Sequence, residues 1–200
     1  MLNFDFVKAA PKQPVLERGE VMLRAPQLGD FEAWAALREE SRAHLTRWEP
    51  DWTAREAESE AYRTRLRLQE RLYRAGAAVS FFVCRKDDNR LIGGVTLSDI
   101  RRHTAQSAVI GYWIGAPYLR RGYGGDAVAA TVEFALVESG FNRVEAACQP
   151  GNTASLALLR KLGFREEGLA RDYLHINGAW RDHALYSLIA RDYCGAPQPI

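Results

Sequence analysis

The stretch from Ile114 to Ala127, with Arg120-Arg121-Gly122-Tyr123-Gly124-Gly125 at its centre, limits the folds open to this 200-residue chain more than any other. Ahead of it, Ser107 to Ile114 has the alternation of a strand, which Gly115-Ala116-Pro117 stops; behind it, Gly122 to Ser139 reads as a helix. A strand that enters a helix through glycines belongs to a layered α/β architecture. The same loop suits a phosphate. Glycines let the backbone come close to a ligand, and the first N–H groups of a helix lack intrahelical partners and sit at the positive end of its dipole. Arg120 and Arg121 add charge, and Gly124 is expected to supply both room and unusual backbone angles. Taken alone, a glycine-rich loop of this kind is better read as a tight turn.

The rest of the chain alternates helical and strand periodicities, so a mixed, strongly twisted α/β sheet with helices on both faces is expected. Residues 1–20 carry Pro11, Pro14 and Gly19 with little periodicity and read as a loose arm before a single domain over residues 21–200. A strand is expected over Val21 to Arg24, a helix from Phe31 with Asp30 as its N-cap, and an arginine-rich helix over Thr53 to Ala75. Val79 to Arg85 and Leu91 to Ser98 flank the turn Lys86 to Arg90 as an antiparallel hairpin, and a polar turn over Arg101 to Thr104 follows. Next come strand Arg143 to Cys148, helix Asn152 to Leu162, and strands Glu166 to Leu174 and Trp180 to Ile189. These last two flank Asn177-Gly178, a dipeptide suited to the positive φ angles of a tight hairpin.

Several functions are excluded. Gly122, Gly124 and Ala127 satisfy the dinucleotide pattern G-x-G-x-x-A formally, with Glu145 further on, but residues 115–121 separate the strand from Gly122, where that fold needs direct contact. No phosphate-binding G-x-x-x-x-G-K-[ST] occurs. Cys84, Cys148 and Cys194 form neither a disulfide framework nor a C-x-x-C site, and His44, His103 and His183 have no metal-ligand spacing, so no metal is expected and the histidines read as structural. Twenty-seven basic against 25 acidic residues give a net charge of +2, too little for a field directed at nucleic acid. Arg63, Arg67, Arg71 and Arg74 could make a weak ribosome contact, but pairing with Glu60 and Glu70 on a solvated face is the better reading. With no apolar run near the ~20 residues of a membrane span and no leader pattern, a soluble cytoplasmic protein is expected.

A second unit reads Asn152-x-x-Ser155-x-x-Leu158-Leu159-x-x-Leu162-Gly163-Phe164. Asn152 is a good N-cap, the leucines line one face, and Gly163 ends the helix. Following the glycine-rich loop by one strand, it makes the chain, over roughly Val21 to Asp192, resemble the GCN5-related N-acetyltransferase (GNAT) family. Arg47-Trp48-Glu49-Pro50, Gly111-Tyr112-Trp113-Ile114-Gly115 and the tail Arg171 to His183 resemble the ribosomal-protein-alanine N-acetyltransferases of the RimJ type. The resemblance implies the GNAT fold, acetyl-CoA as co-substrate, and a cofactor site at Trp113, Ile114, Arg120, Arg121, Gly122, Tyr123, Gly124, Gly125, Asn152 and Ser155. One departure is Leu119, which takes the first position of the family loop Q/R-x-x-G-x-G/A.

The implied reaction is direct attack of an amine on the thioester, which needs donors for an oxyanion and a proton for the departing thiolate. The resemblance places the oxyanion donor at a backbone N–H near Trp113 and Ile114. The tyrosine many relatives use as acid falls on Leu159, so Ser155 is the candidate acid, as in RimL-type enzymes, beside a capping role for the same serine. The RimL-type glutamate falls on Leu174; Glu49, Asp172 and His175 remain for the base, and Glu49 is the one assigned to the acceptor wall. An α-amine with a pKa of ~7.7 to 8.0 needs little base, unlike a lysine near ~10.4.

Glu49, Asp51, Glu56, Glu58 and Glu60 offer an acidic rim for a basic protein, or ordinary surface charge. The implied function is acetylation of the N-terminal alanine amine of a ribosomal protein. A small amine acceptor such as an amino sugar or polyamine, or a non-catalytic acyl-CoA-binding ribosome-assembly factor, stays open, since fold does not select the acceptor.

Overall fold

The computed structural model describes residues 12–53 and 58–193. Its strands are β1 (Leu16–Arg18), β2 (Val21–Arg24), β3 (Val79–Arg85), β4 (Leu91–Arg101), β5 (Ser107–Ile114), β6 (Arg143–Cys148), β7 (Arg165–Ile176) and β8 (Ala179–Ile189). They form one sheet in the order β1-β2-β3-β4-β5-β6-β8-β7, antiparallel throughout except where β5 meets β6. The helices are α1 (Phe31–Glu40), α2 (Arg42–Leu45), α3 (Ser59–Arg74), α4 (Tyr123–Glu133) and α5 (Thr153–Lys161).

Strand alternation feeds two cores, as the sequence pattern implies. Val79, Phe81 and Val83 pack on one face with Val128 and Val132 of α4 and Leu156 and Leu159 of α5. Phe82 and Cys84 pack on the other with Trp34 and Leu37 of α1 and Tyr62 of α3. Both faces are therefore covered by helices, and each fully buried leucine or phenylalanine contributes on the order of 2 kcal/mol.

The parallel pair creates the site. β5 and β6 are in register only over Ser107–Val109 and Arg143–Glu145. Beyond that they run on to Ile114 and Cys148 without pairing, and a cleft opens between them.

Several boundaries differ from expectation. Leu16–Arg18, expected in the arm, pairs with β2 and buries Leu16, because three residues are too few to show a period; residues 1–11 lie outside those described. The helix expected from Thr53 begins at Ser59, and residues 54–57 lie outside the described residues. Asp30 does not cap α1 with its side chain: its carboxylate binds Arg24 at 2.7 and 2.8 Å and accepts the Gln27 N–H at 2.8 Å, the charged partner winning over the helix end. The strand expected to stop at Ser98 slips register there, with Asp99 at φ 46°, and resumes to Arg101. The helix expected over Gly122 to Ser139 is α-helical to Glu133 and widens into π turns over Phe134–Glu138. The hairpin turn forms as its dipeptide demands, with φ 49° at Asn177 and 79° at Gly178.

Candidate active site

The cleft between β5 and β6 has a volume of about 460 Å³, and it is lined by every residue the sequence assigns to the cofactor and, of the candidates for catalysis, by Ser155 and Glu49. One wall is the glycine-rich loop. Gly122 caps α4 with φ 84°, Arg120 before it has φ 60°, and the first intrahelical bond runs from the Asp126 N–H to the Gly122 carbonyl. The N–H groups of Tyr123, Gly124 and Gly125 precede that bond and so remain for an anion. With Arg120 and Arg121 exposed beside them, this donor set fits a pyrophosphate. Gly124 itself has ordinary helical angles, so the unusual backbone expected there falls on Gly122 and Arg120 instead. What Gly124 contributes is closeness: a Cβ there would lie 3.4 Å from Ile114 Cγ1.

The floor is β5. Gly115 donates its N–H to the Ile92 carbonyl, so the antiparallel alternation turns the N–H groups of Ile114 and Tyr112 away from β4, toward the unpaired side. Trp113 lies on the opposite face across Gly94, where any Cβ would sit 2.7 Å from the indole Nε1. Gly115 serves a similar purpose, leaving room for Leu37 of α1, while the Ala116 N–H donates to the buried Ser41 Oγ at 2.9 Å. Those contacts fix α1 and α2 to the end of β5.

Ser155 stands in the first turn of α5. Its N–H donates to Asn152 Oδ1 at 3.2 Å, as expected for the cap, and its Oγ lies 2.7 Å from the Tyr112 hydroxyl. Burial pushes the Tyr112 phenol up to about 12, so it stays protonated and can donate to Ser155. With that direction the Ser155 hydrogen is left for a second partner on the cleft side, where the Cys148 thiol also lies.

The opposite wall is the loop Thr46 to Trp52. Glu49 Oε1 lies 2.6 Å from Arg38 Nη1, and the Arg38 guanidinium sits 3.9 Å from the Trp52 ring and 5.2 Å from that of Trp113. Burial outweighs the pairing on both sides, raising the Glu49 carboxyl and lowering the Arg38 guanidinium from their ordinary values. Arg42 stacks on Trp52 and pairs with Asp51 at 2.9 Å. Gln149, at the end of β6, donates to the Trp48 carbonyl at 3.3 Å.

The acidic rim is largely neutralised: Glu49 and Asp51 face arginines, Glu60 faces Arg63 and Arg67 on α3, and Glu56 lies outside the described residues. Arg74 pairs with Glu70, so the arginine helix shows the pairing its spacing suggests. Asp172 and His175 do not line the cleft. His44 and His183, expected to be structural, do line it, and the contact of His183 Nδ1 with the Arg181 carbonyl at 3.0 Å places its proton on Nδ1. Sequence reasoning passed over Tyr112, Arg38 and Gln149 as well. The alternation of β5 puts Tyr112 and Ile114 on one face, a signal that could have placed the tyrosine in the cleft.

Among the described residues no cluster of His, Cys, Asp or Glu could hold a metal, and no helix is long and apolar enough to cross a membrane. The family model of the acetyltransferase (GNAT) domain matches residues 20–165. The chain is 31% identical over 166 residues to the [ribosomal protein uS5]-alanine N-acetyltransferase of Escherichia coli (strain K12), covering 82% of this chain and 86% of that one. It superposes on Mycobacterium smegmatis RimJ in complex with CoA-disulfide with a TM-score of 0.82 and 30% identity, over 89% of this chain and 87% of that one. Against the ribosomal-protein-S5-alanine acetyltransferase of Vibrio fischeri the TM-score is 0.83 at 31% identity, over 90% and 99%.

Proposed function

The chain belongs to the GNAT family and is an acetyl-CoA-dependent N-acetyltransferase, and from that premise we propose that its acceptor is the N-terminal alanine amine of a ribosomal protein. The observation that carries this is the likeness to the uS5-alanine enzyme over 82% of the chain. A shared cofactor loop of a few residues does not account for a likeness of that extent.

Acetyl-CoA supplies the activated acetyl group. The N–H groups of the α4 first turn, with Arg120 and Arg121, hold the pyrophosphate. The outward N–H groups of β5 at Tyr112 and Ile114 take the thioester oxygen as it gains charge, the larger part of the rate enhancement in such chemistry. The neutral amine attacks the thioester carbon directly, and Ser155, hydrogen-bonded to Tyr112, donates its hydrogen to the departing thiolate sulfur and takes back, through Tyr112 or water, the proton that the attacking nitrogen loses. Glu49 draws in the ammonium end of the peptide and relays its proton through water, the Arg38 contact holding it in place. Mass spectrometry of ribosomal proteins from a deletion strain tests the reading: an N-terminal alanine that loses its acetyl group is expected. A purified enzyme that prefers polyamines or amino sugars to alanine-starting peptides would overturn it.

A further inference from the structure

Asn177 sits at the first central position of the β7–β8 turn, where φ 49° and a following glycine already account for its residue type. Its side chain reaches further. Nδ2 donates to the Thr46 carbonyl at 2.7 Å and to the Glu49 carbonyl at 3.3 Å, while Oδ1 accepts the Asp51 N–H at 2.6 Å. One carboxamide therefore ties three backbone groups of the loop that carries Trp48 and Glu49. Gln149, Arg38 and Arg42 fasten the same loop to the end of β6, to α1 and to α2; of these fastenings only that of Asn177 joins it to the hairpin.

We infer that Asn177 is a positioning residue for the acceptor, setting the height of the Thr46–Trp52 loop over the open end of the cleft and so the entry of the amine. The inference rests on reading that loop as the acceptor wall. A carboxamide suits the task because it has two N–H donors and an acceptor oxygen at the right length and tolerates positive φ. An aspartate there would keep the turn and aim its oxygens at two carbonyls.

Two variants separate the latch from the turn, since Asp-Gly and Gly-Gly both support this hairpin. For Asn177→Gly, the KM of an alanine-starting peptide is expected to rise about fivefold, or about 1 kcal/mol, and for Asn177→Asp by more. The acetyl-CoA Kd should stay within about twofold, a split that general loosening of the fold would not produce. Amide hydrogen exchange should accelerate over residues 48–51 and stay unchanged in α4. Parent-like peptide KM and parent-like exchange in Asn177→Gly overturn the inference, and that variant alone decides should Asn177→Asp fail to fold. If the parent enzyme acetylates no alanine-starting peptide, the acceptor assignment is what fails, and exchange over residues 48–51 still decides for or against the latch.

Discussion

The two walls of the cleft are built in opposite ways. The cofactor wall is assembled from neighbours in sequence: residues 119–125 and the first turn of α4 carry their own geometry, and Asn152 caps Ser155 three residues on. The wall proposed for the acceptor is assembled from residues far apart, with Gln149 reaching across 101 positions to Trp48 and Asn177 across 131 to Thr46. A wall of the first kind is set by local backbone chemistry and serves any acetyl transfer. A wall of the second kind exists only once the whole sheet is folded, and it can be retuned for a new acceptor without disturbing the cofactor.

The strongest break in that comparison is a defect confined to the cofactor wall. Gly124→Val puts a Cβ 3.4 Å from Ile114 Cγ1 and adds two methyl groups beside the N–H groups proposed to face the pyrophosphate. Acetyl-CoA affinity should fall by roughly 100-fold or more, since several charge-assisted hydrogen bonds at ~1.5 to 3 kcal/mol each are obstructed together. Circular dichroism should show the fold retained. Calorimetry giving parent-like affinity in a folded variant would return the loop to the role of a turn.

Legibility in the sequence follows the same division. Periodicity and turn chemistry gave the α/β class, the hairpins and the cap at Asn152, all of which depend on residues a few positions apart. The three-residue β1 escaped because so short a strand has no period, and Asp30 misled because Arg24 offered its carboxylate a stronger partner than the helix end. Tyr112 reads as an ordinary strand aromatic until β6 diverges and leaves its hydroxyl 2.7 Å from Ser155. The acidic segment Glu49 to Glu60 showed carboxylates, and helical spacing offered Glu60 its α3 arginines, but nothing nearby in sequence showed that Arg38 of α1 and Arg42 of α2 answer Glu49 and Asp51.

A smaller effect is expected where the walls meet, at the Tyr112–Ser155 pair. Ser155→Ala should lower kcat by about 10² at unchanged acetyl-CoA affinity, the lower range for removing a general acid, because a thiolate with a pKa near ~8.5 leaves tolerably well unaided. Tyr112→Phe keeps the ring and removes only the hydrogen bond to Ser155, so a loss of about tenfold in kcat is expected, and the double variant should lose little beyond Ser155→Ala. Additive losses in saturating kinetics would show that the two hydroxyls act apart.

The smallest effect belongs to the acceptor wall. Glu49 already faces Arg38 at 2.6 Å, so much of its charge is answered before a peptide arrives, and Glu49→Gln should raise peptide KM only about three- to fivefold, within the ~1 kcal/mol of a partly screened charge pair. Its pH dependence is more telling than its size. Burial raises the Glu49 carboxyl above its ordinary 4.5, so as pH falls the folded enzyme neutralises this group earlier than an exposed carboxylate would be. Attraction for the ammonium end is therefore present above that raised value and lost as pH drops through it. The ratio of variant to parent KM cancels the titration of the peptide's own amine. Measured between about pH 5 and 8, it should stand at its full value near neutrality and decline toward one on the acid side. A ratio that stays constant across the range would mean that Glu49 shapes the wall through its contact with Arg38 and never meets the incoming amine as a charge.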